Sequence, residues 1–316
     1  MTLDVILTCF CLATKGSSLR SMIKQTKAKG QKISYNSLTD FFQEPWQPEF
    51  ELKSAAEGLF KLQNGWLMLD EIVLAKSKES LVMASVKRRK KSAGGYITPS
   101  VSLVLLLWCD GKQRVPIGLA YRHNQSVQEL ALQLLSQARN RYRLKPMCVL
   151  FDAGFFSSKL LERIASYGWM FVCKAPKTIL FESKRIWQFK RQGFWNDPGY
   201  LKCGLKVRAV RRADKFYLCN RVSKTAEEIL KWYQKRAVIE EVFKILKQCC
   251  HWDYCQLRSE AALSRFYVVG LLTFMTWEHK RNQALSSCTI YEMRSDVMYG
   301  DQKPPISHYF LHREVA

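Results

Sequence analysis

The sequence is poor in acidic residues and lacks the signals of secreted and membrane-spanning proteins. It contains 27 Asp and Glu against 50 Lys and Arg, which leaves a formal net charge of +23. No basic segment precedes the apolar run VILTCFCLAT near the N-terminus, so we do not expect a signal peptide. The longest apolar stretch, at 266–277, is too short to cross a bilayer. We therefore expect a cytoplasmic protein without a membrane partner.

Paired cysteine spacing, internal repeats and low-complexity segments are also missing. The 11 cysteines are odd in number and irregularly spaced, which favours a reducing environment over a disulfide framework. The densest group, CCHWDYC at 249–255, lacks the C-x2-C spacing typical of zinc sites, so partly buried thiols are the better interpretation. Hydrophobic residues make up 47% of the chain, which indicates a folded protein and excludes a disordered basic tail.

Positive charge is what the sequence has in excess. A strongly basic folded protein points first to a polyanionic partner, of which nucleic acid is the commonest. A membrane surface is the alternative, but it usually requires a basic amphipathic helix or a lipid anchor, and the sequence shows neither. We therefore expect DNA or RNA as the partner.

The order of apolar patterns predicts an α/β fold, a mixed sheet with helices on its faces. Apolar runs at 64–76 and 146–155 are typical of buried strands, and 101–122 predicts two strands joined at the turn Asp110-Gly111. The segment 126–140 has the periodicity of an amphipathic helix. Residues 1–60 predict a small helical region, either a DNA-binding unit or a solvated helical cap.

Residues 176–220 interrupt this alternation with short strand-like pieces rich in basic and aromatic residues. Basic side chains neutralise phosphates, and aromatic rings provide stacking surfaces for unpaired bases. The alternative is an exposed β-insertion whose aromatic residues form its own small core. The nucleic-acid-binding candidates in this segment are Trp187, Trp195, Arg211 and Arg212.

Three acidic residues stand where metal-dependent phosphoryl transfer would need them. Asp70 follows the apolar run GWLML, Asp152 follows CVLF, and Glu240 lies in the predicted helix 231–248. Carboxylates from two neighbouring strands and a helix can hold two divalent ions about 3.5–4 Å apart. Hard oxygen ligands suit Mg²⁺ or Mn²⁺. One ion would activate the attacking water or 3′-hydroxyl, and the other would stabilise the leaving oxygen.

Each acid also has a simpler interpretation. Glu240 could form an i, i+4 ion pair with Arg236 or Lys244, worth only a few tenths of a kcal/mol. Asp152 could simply close a strand before Ala-Gly. Asp70 is followed by Glu71, and because successive strand side chains point to opposite faces, only one of the two can face the metals. We expect that one to be Asp70.

The predicted helix carries a recognisable spacing. In a continuous helix, Tyr233, Arg236, Glu240 and Lys247 would fall within a stripe about 60° wide. Their pattern, Tyr-x2-Arg-x3-Glu-x6-Lys, resembles the Y-R-E-K signature of bacterial insertion-sequence transposases with an Asp-Asp-Glu active site. The segments LDEIVLAKS and FDAGFFS resemble the first and second Asp motifs of that family, and the resemblance covers residues 60–280. The family often has two Asp followed by Thr at the first position, where this chain has Asp70-Glu71-Ile72.

The resemblance implies a ribonuclease-H-like catalytic core that cuts DNA at the ends of an insertion element and joins the 3′ ends to a target. It implies an N-terminal DNA-end-binding region at 1–60, a catalytic domain at 61–285 with a basic β-rich insertion at 176–220, and a C-terminal tail at 286–316. The implied partners are terminal inverted repeats, target DNA and further copies of the chain on DNA, in the bacterial cytoplasm with the nucleoid.

The resemblance also implies roles for individual residues. Asp70, Asp152 and Glu240 would be the catalytic ligands of two Mg²⁺ or Mn²⁺ ions. DNA near the cut end would contact Tyr233, Arg236 and Lys247, with Lys244 beside them. Two alternatives remain open, a catalytically inactive or domesticated DNA-binding relic and a nuclease of the same fold that cuts without joining.

Overall fold

A computed structural model of the protein describes residues 3–13, 18–28, 30, 33–76, 86–90, 97–189, 195–284 and 288–299. For 86–90, 97, 98, 195, 298 and 299 it describes the backbone alone. The chain divides into two compact units. The central unit comprises Lys61–Ile72 and Ser102–Glu241, and the terminal unit comprises Met1–Phe60, Val73–Val101 and Val242–Ala316.

The central unit is built on a mixed β-sheet, as the strand patterns predict. Its strands β1, β5 and β6 are parallel, and β3 pairs antiparallel with β4. The strand order is β4-β3-β1-β5-β6-β11-β10-β9. The bounds are β1 Trp66–Ala75, β2 Val86–Lys90, β3 Ile97–Cys109, β4 Arg114–Tyr121, β5 Cys148–Phe151, β6 Phe171–Ala175, β7 Leu180–Phe181, β8 Lys184–Arg185, β9 Trp195–Tyr200, β10 Lys206–Arg212 and β11 Lys215–Cys219.

Local sequence explains the turns and helices around this sheet. Asp110 closes the predicted hairpin, because its Oδ1 accepts hydrogen bonds from the backbone N–H groups of Lys112 and Gln113 at 2.8 and 2.7 Å. Ser126 begins the next helix with a capping box. The predicted α/β class with a ribonuclease-H-like sheet and flanking helices is confirmed. The helices of the central unit are α5 Val127–Asn140, α6 Ser158–Ser166 and α7 Ala226–Gln234, and α8 Ala237–Gln248 begins there.

The β-rich segment after β6 extends the central sheet. Strand β11 pairs antiparallel with β6, from Phe216 opposite Ala175 to Cys219 opposite Val172. Strands β10 and β9 follow outward, also antiparallel. The predicted β-rich character is therefore confirmed. The sheet extension was not predicted, because the partner of a strand is not encoded in its own residues.

The prediction of one continuous helix over 231–248 is wrong. The structure has α7 and α8, joined at Lys235 and Arg236. The N–H groups of these two residues donate to the carbonyls of Trp232 and Tyr233 at 3.1 and 3.0 Å, an i to i−3 pattern. Such turns have 3.0 residues per turn, so the stripe calculated for a regular α-helix does not hold across this junction.

The described part of the terminal unit contains helices from the N-terminal and the C-terminal regions of the chain, which confirms the predicted N-terminal helical region. Helices α1, α3 and α4 pack against the 24-residue α9, where Phe10, Phe42 and Phe266 bring their rings within 5.0–6.3 Å of each other. In the part of the chain that the structure describes, no helix has the length and apolar character needed to cross a membrane. The bounds are α1 Leu3–Leu12, α2 Leu19–Ala28, α3 Tyr35–Gln43, α4 Pro48–Leu59, α9 Glu260–Gln283 and α10 Ile290–Tyr299.

Strand β2 pairs antiparallel with the start of β3 in the terminal unit, from Val86 opposite Val101 to Lys90 opposite Ile97. Of the predicted tail at 286–316, residues 288–299 are described and include α10, and the remainder lies outside the described residues.

Candidate active site

Two of the three predicted acids lie side by side on neighbouring parallel strands. Strands β1 and β5 pair from Trp66 opposite Cys148 to Leu69 opposite Phe151. Asp70 and Asp152 are the residues that follow the last pair. Strand β5 ends there, whereas β1 continues to Ala75, so Asp70 lies inside its strand and not at the end that the apolar run suggested.

Arg236 joins the first acid to the third. Its Nη2 lies 2.7 Å from Asp70 Oδ2, and its Nη1 lies 2.9 Å from Glu240 Oε1. The Arg236 side chain is 10% exposed, that of Asp70 16% and that of Glu240 57%. The ion pair of Glu240 with Arg236 that the sequence suggested is therefore present, but the Arg236 guanidinium also forms an ion pair with the mostly buried Asp70. The buried Arg236 Nε has no hydrogen-bond partner among the described residues.

The electrostatics of this cluster are those of a site with excess negative charge. Burial raises the pKa of Asp70, Arg236 opposes that rise, and the neighbouring charge of Asp152 adds to it. Burial would lower the pKa of Arg236, but attraction by Asp70, Tyr233, Asp152 and Glu240 raises it. Three carboxylates thus act on one guanidinium, which leaves the cluster suited to a further cation.

Tyr233 and Tyr217 form the aromatic side of the cluster. Their ring centroids are 4.8 Å apart, in a tilted arrangement at 63°. Burial first, and the negative charge of Asp152 second, raise the pKa of the Tyr233 hydroxyl well above its ordinary value. Asp152 also raises the pKa of Tyr217, after burial. Sequence reasoning missed Tyr217, because its place beside Asp152 depends on the pairing of β11 with β6.

Asp152 also has a local structural role. Its Oδ1 accepts a hydrogen bond from the Ala153 N–H at 2.6 Å and caps the short 3-10 turn Ala153–Phe155. Asp70 Oδ1 accepts from the Glu71 N–H at 2.9 Å, while Oδ2 faces Arg236. A backbone N–H group therefore orients the carboxylate of Asp70 and another orients that of Asp152, independently of each other.

Glu71 points away from this cluster. Its Oε1 accepts a hydrogen bond from Ser102 Oγ and lies 3.0 Å from Arg122 Nη1. The strand alternation expected from the sequence is thus present, with Asp70 and Glu71 on opposite faces of β1. Only Asp70 shares the electrostatic environment of Asp152 and Arg236.

The three acids provide the donor chemistry of a divalent metal site. Among the described side chains, no group of three or more His, Cys, Asp or Glu is close enough to hold a metal ion. Asp70 and Asp152 are adjacent, and Arg236 lies between Asp70 and Glu240. Carboxylate oxygens and excess negative charge fit Mg²⁺ or Mn²⁺.

The remaining candidates are distributed over α8 and the β-rich segment. Lys247 lies on α8, 4.0 Å from Asp253, and Lys244 is exposed on the same helix. Trp187 is 43% exposed, and the Trp195 side chain lies outside the described residues.

Two neighbouring arginines of the β-rich segment, Arg211 and Arg212, differ in their hydrogen bonds and exposure. Arg211 donates to the carbonyls of Ala213 and Phe189 at 2.9 and 3.2 Å, so part of its guanidinium serves the local fold. Arg212 is exposed.

Comparisons with known proteins give a family match and a similar fold. The family model of the transposase DDE domain matches residues 87–275. The chain is similar to the piggyBac transposase in a synaptic complex with hairpin DNA, with a TM-score of 0.52 and 11% identity over 93% of this chain and 69% of that chain. At this identity the similarity shows the fold alone.

The Drosophila P element transposase in a strand transfer complex is also similar, with a TM-score of 0.30 and 14% identity over 54% of this chain and 36% of that chain. That score is too low to support a conclusion about the fold. No curated protein matches the sequence.

Proposed function

The chain belongs to the transposase DDE domain family, and from this premise we propose that it cuts DNA at the ends of a bacterial insertion element of the Y-R-E-K group and joins them to a target. The observation that carries the proposal is the position of Asp70 and Asp152 directly after the last residue pair of the parallel strands β1 and β5, with Glu240 linked to Asp70 through Arg236. DNA as the partner is supported by the net charge of +23 and by the DNA complex of the similar piggyBac protein.

Asp70, Asp152 and Glu240 would hold the divalent ions, two Mg²⁺ or Mn²⁺ per site. When bound, the ions supply an activated nucleophile and stabilise the charge that develops on the leaving oxygen. Asp70 and Asp152 would contribute ligands from the rigid sheet. Glu240, which is more exposed and belongs to a helix, would complete the set.

Arg236 has two functions in this proposal. Without DNA it neutralises Asp70 and holds Glu240 beside it through the two contacts of 2.7 and 2.9 Å. A DNA phosphate offers the guanidinium a competing bidentate partner. Transfer of Arg236 to the phosphate would release both carboxylates at the moment when the DNA arrives.

Tyr233 and the lysines of α8 would position the DNA strand. The hydroxyl of Tyr233 is protonated at neutral pH, as in any tyrosine, so it can donate a hydrogen bond to a phosphate oxygen. Lys244 and Lys247 add positive charge along α8, and Arg212 and Trp187 provide exposed basic and aromatic groups in the β-rich segment. The protein would act as a homo-oligomer on DNA at the bacterial nucleoid. The division of the chain into domains at residues 60 and 285 stays a prediction.

The substitution Glu240→Gln tests the proposal, with Glu241→Gln as its matched control. Their side chains are 57% and 56% exposed, and each forms an ion pair with an arginine. Loss of one metal-binding carboxylate should lower Mg²⁺-dependent cleavage at least about a hundredfold, since metal ions supply several kcal/mol of transition-state stabilisation. Glu241→Gln should cleave like the wild type.

The substrate is a duplex made from the DNA that flanks the coding region, where the proposal expects matched inverted repeats, and a gel shift monitors binding. Retained binding without cleavage in Glu240→Gln supports the assignment. Cleavage at the wild-type rate in that variant contradicts it. In the wild type, binding without cutting would identify a relic, and cutting without joining would identify a nuclease.

A further inference from the structure

The terminal unit contains a cavity that the proposed catalysis does not use. Its volume is about 750 Å³, within the range of about 300–1,000 Å³ typical of ligand sites. Its walls come from the start of α2, from Tyr35, from Lys76 after β1 and from the segment 253–258. All of these belong to the terminal unit.

Most of the charged residues that line the cavity are basic. They are Arg20, Lys76 and Arg258, against one acid, Asp253, which also lies 4.0 Å from Lys247 outside the lining. Lys76 Nζ donates to the Cys255 carbonyl at 2.6 Å, which fixes the ammonium group in the wall. Such a lining favours an anionic ligand.

The first turn of α2 strengthens this preference. Ser18 and Leu19 line the cavity where the ten-residue helix begins. The N-terminal end of a helix carries partial positive charge, which attracts phosphate. The Ser21 N–H of this turn already donates to Ser18 Oγ at 3.3 Å, so the helix end adds to the attraction by Arg20 mainly through its dipole.

Aromatic rings stand beside the basic groups. Tyr35 and Tyr254 both line the cavity, and they are 41% and 36% exposed. The guanidinium carbon of Arg20 lies over the Tyr35 ring, 5.1 Å from its centroid. Basic groups interleaved with accessible rings are the arrangement by which proteins hold unpaired nucleotides, through phosphate contacts and base stacking.

We propose that this cavity binds an unpaired stretch of DNA, with phosphates at Arg20, Lys76 and Arg258 and a base against Tyr254. An unpaired strand fits better than a duplex, because bases inside a duplex are stacked and cannot reach rings in a cavity. The inference rests on the proposed function in one respect, since DNA is taken as the partner of the chain.

Fluorescence anisotropy on the full chain tests the proposal with three labelled probes of equal length: oligo(dT), an abasic oligonucleotide and a duplex. Tyr254→Ala should weaken oligo(dT) binding about tenfold and leave the abasic probe unchanged, because one stacked base contributes about 1–3 kcal/mol. Tyr291→Ala removes a ring that is 40% exposed and does not line the cavity, so it serves as the control.

The charge of the cavity is tested with a second matched pair. Arg20→Gln should weaken oligo(dT) and the abasic probe equally and several-fold, because both carry phosphates. Lys27→Gln removes one charge from the same helix outside the cavity and should have a clearly smaller effect. Thermal unfolding of each variant shows whether the fold is retained.

Photocrosslinking of wild-type protein to oligo(dT) containing 5-iodouracil needs no variant. Crosslinks at Tyr254 or Tyr35 support the proposal. Crosslinks found only outside the cavity overturn it. Equal effects of Tyr254→Ala and Tyr291→Ala, together with equal effects of Arg20→Gln and Lys27→Gln, also overturn it. The result is separable from the proposed function. If Tyr254→Ala weakens oligo(dT) binding but the wild type does not cleave DNA, the cavity site is supported and the proposed transposase activity is rejected. If the wild type cleaves DNA but Tyr254→Ala binds oligo(dT) normally, the activity is supported and the cavity site is rejected.

Discussion

The two faces of β1 each present an acid to an arginine, and they differ in charge balance. On one face, Arg236 is shared by Asp70 and Glu240, and Asp152 stands nearby. On the other, Glu71 has Arg122 as its cation and Ser102 as a hydrogen-bond donor. The first face has more carboxylates than cations, whereas the second is balanced.

This difference distinguishes a site from a structural contact. A balanced pair satisfies its own charges and needs no ligand. An unbalanced cluster that is partly buried repels itself, and a metal ion, another cation or protonation of one acid relieves that repulsion. The comparison therefore favours Asp70 over Glu71 as the ligand, although the residues are adjacent and both are acidic.

The largest expected effect separates the two adjacent acids. Asp70→Asn should reduce Mg²⁺-dependent cleavage at least about a hundredfold, because it removes the carboxylate proposed to bind the metal while keeping the side-chain size. Glu71→Gln should retain most of the activity, since it changes only the balanced face. Rates are measured on the inverted-repeat duplex under single-turnover conditions. The opposite ranking would make Glu71 the ligand.

The two arginines should differ in the stability they provide. Arg236→Gln leaves a mostly buried carboxylate without its cation, which should lower the free energy of unfolding by about 3 kcal/mol. Arg122→Gln removes a more exposed pair, with side chains 31% and 25% exposed, and should cost about 1 kcal/mol. Urea denaturation measures both values.

Added Mg²⁺ should affect the stability of the Arg236 and Arg122 variants differently. A cation that binds the folded carboxylates stabilises the native state by mass action. Mg²⁺ should therefore restore part of the stability lost in Arg236→Gln and should not restore that lost in Arg122→Gln. Equal responses of the two variants to Mg²⁺ would show that the faces do not differ as described.

The smallest expected effect concerns DNA affinity outside the acidic cluster. Lys244→Gln should weaken DNA binding several-fold and reduce the salt slope of log K by about 0.9, because one phosphate contact is lost. Lys53→Gln is the control, since Lys53 on α4 forms an ion pair with Glu57, with 3.2 Å between Nζ and Oε2. Titrations at several salt concentrations measure both slopes. Identical slopes for the two variants would remove Lys244 from the DNA-binding surface.

Much of the central sheet could be predicted from local sequence. Buried strands appear as short apolar runs, which is why β1 and β5 were predicted near their observed positions. The helix predicted at 126–140 is observed as Val127–Asn140, because its cap and its periodicity are both local signals. The alternation of side chains along a strand also placed Asp70 and Glu71 on opposite faces.

Features that depend on distant partners could not be predicted. Lys235 and Arg236 are good helix formers, so nothing local indicates the break between α7 and α8. There the chain forms tight turns in which Arg236 reaches Asp70, a residue far away in sequence. The pairing of β11 with β6, and with it the place of Tyr217 beside Asp152, is non-local in the same way.

Metal binding tests the central claim most directly, because it does not depend on completing a reaction. Mn²⁺ is titrated into the complex of the protein with the inverted-repeat duplex, and the free ion is followed by electron paramagnetic resonance. The wild type and Glu71→Gln should bind Mn²⁺ with similar affinity, whereas Asp70→Asn should bind it at least about tenfold more weakly. Unchanged binding by Asp70→Asn, or its loss in Glu71→Gln alone, would contradict the assignment of the metal site to the Asp70 face of β1.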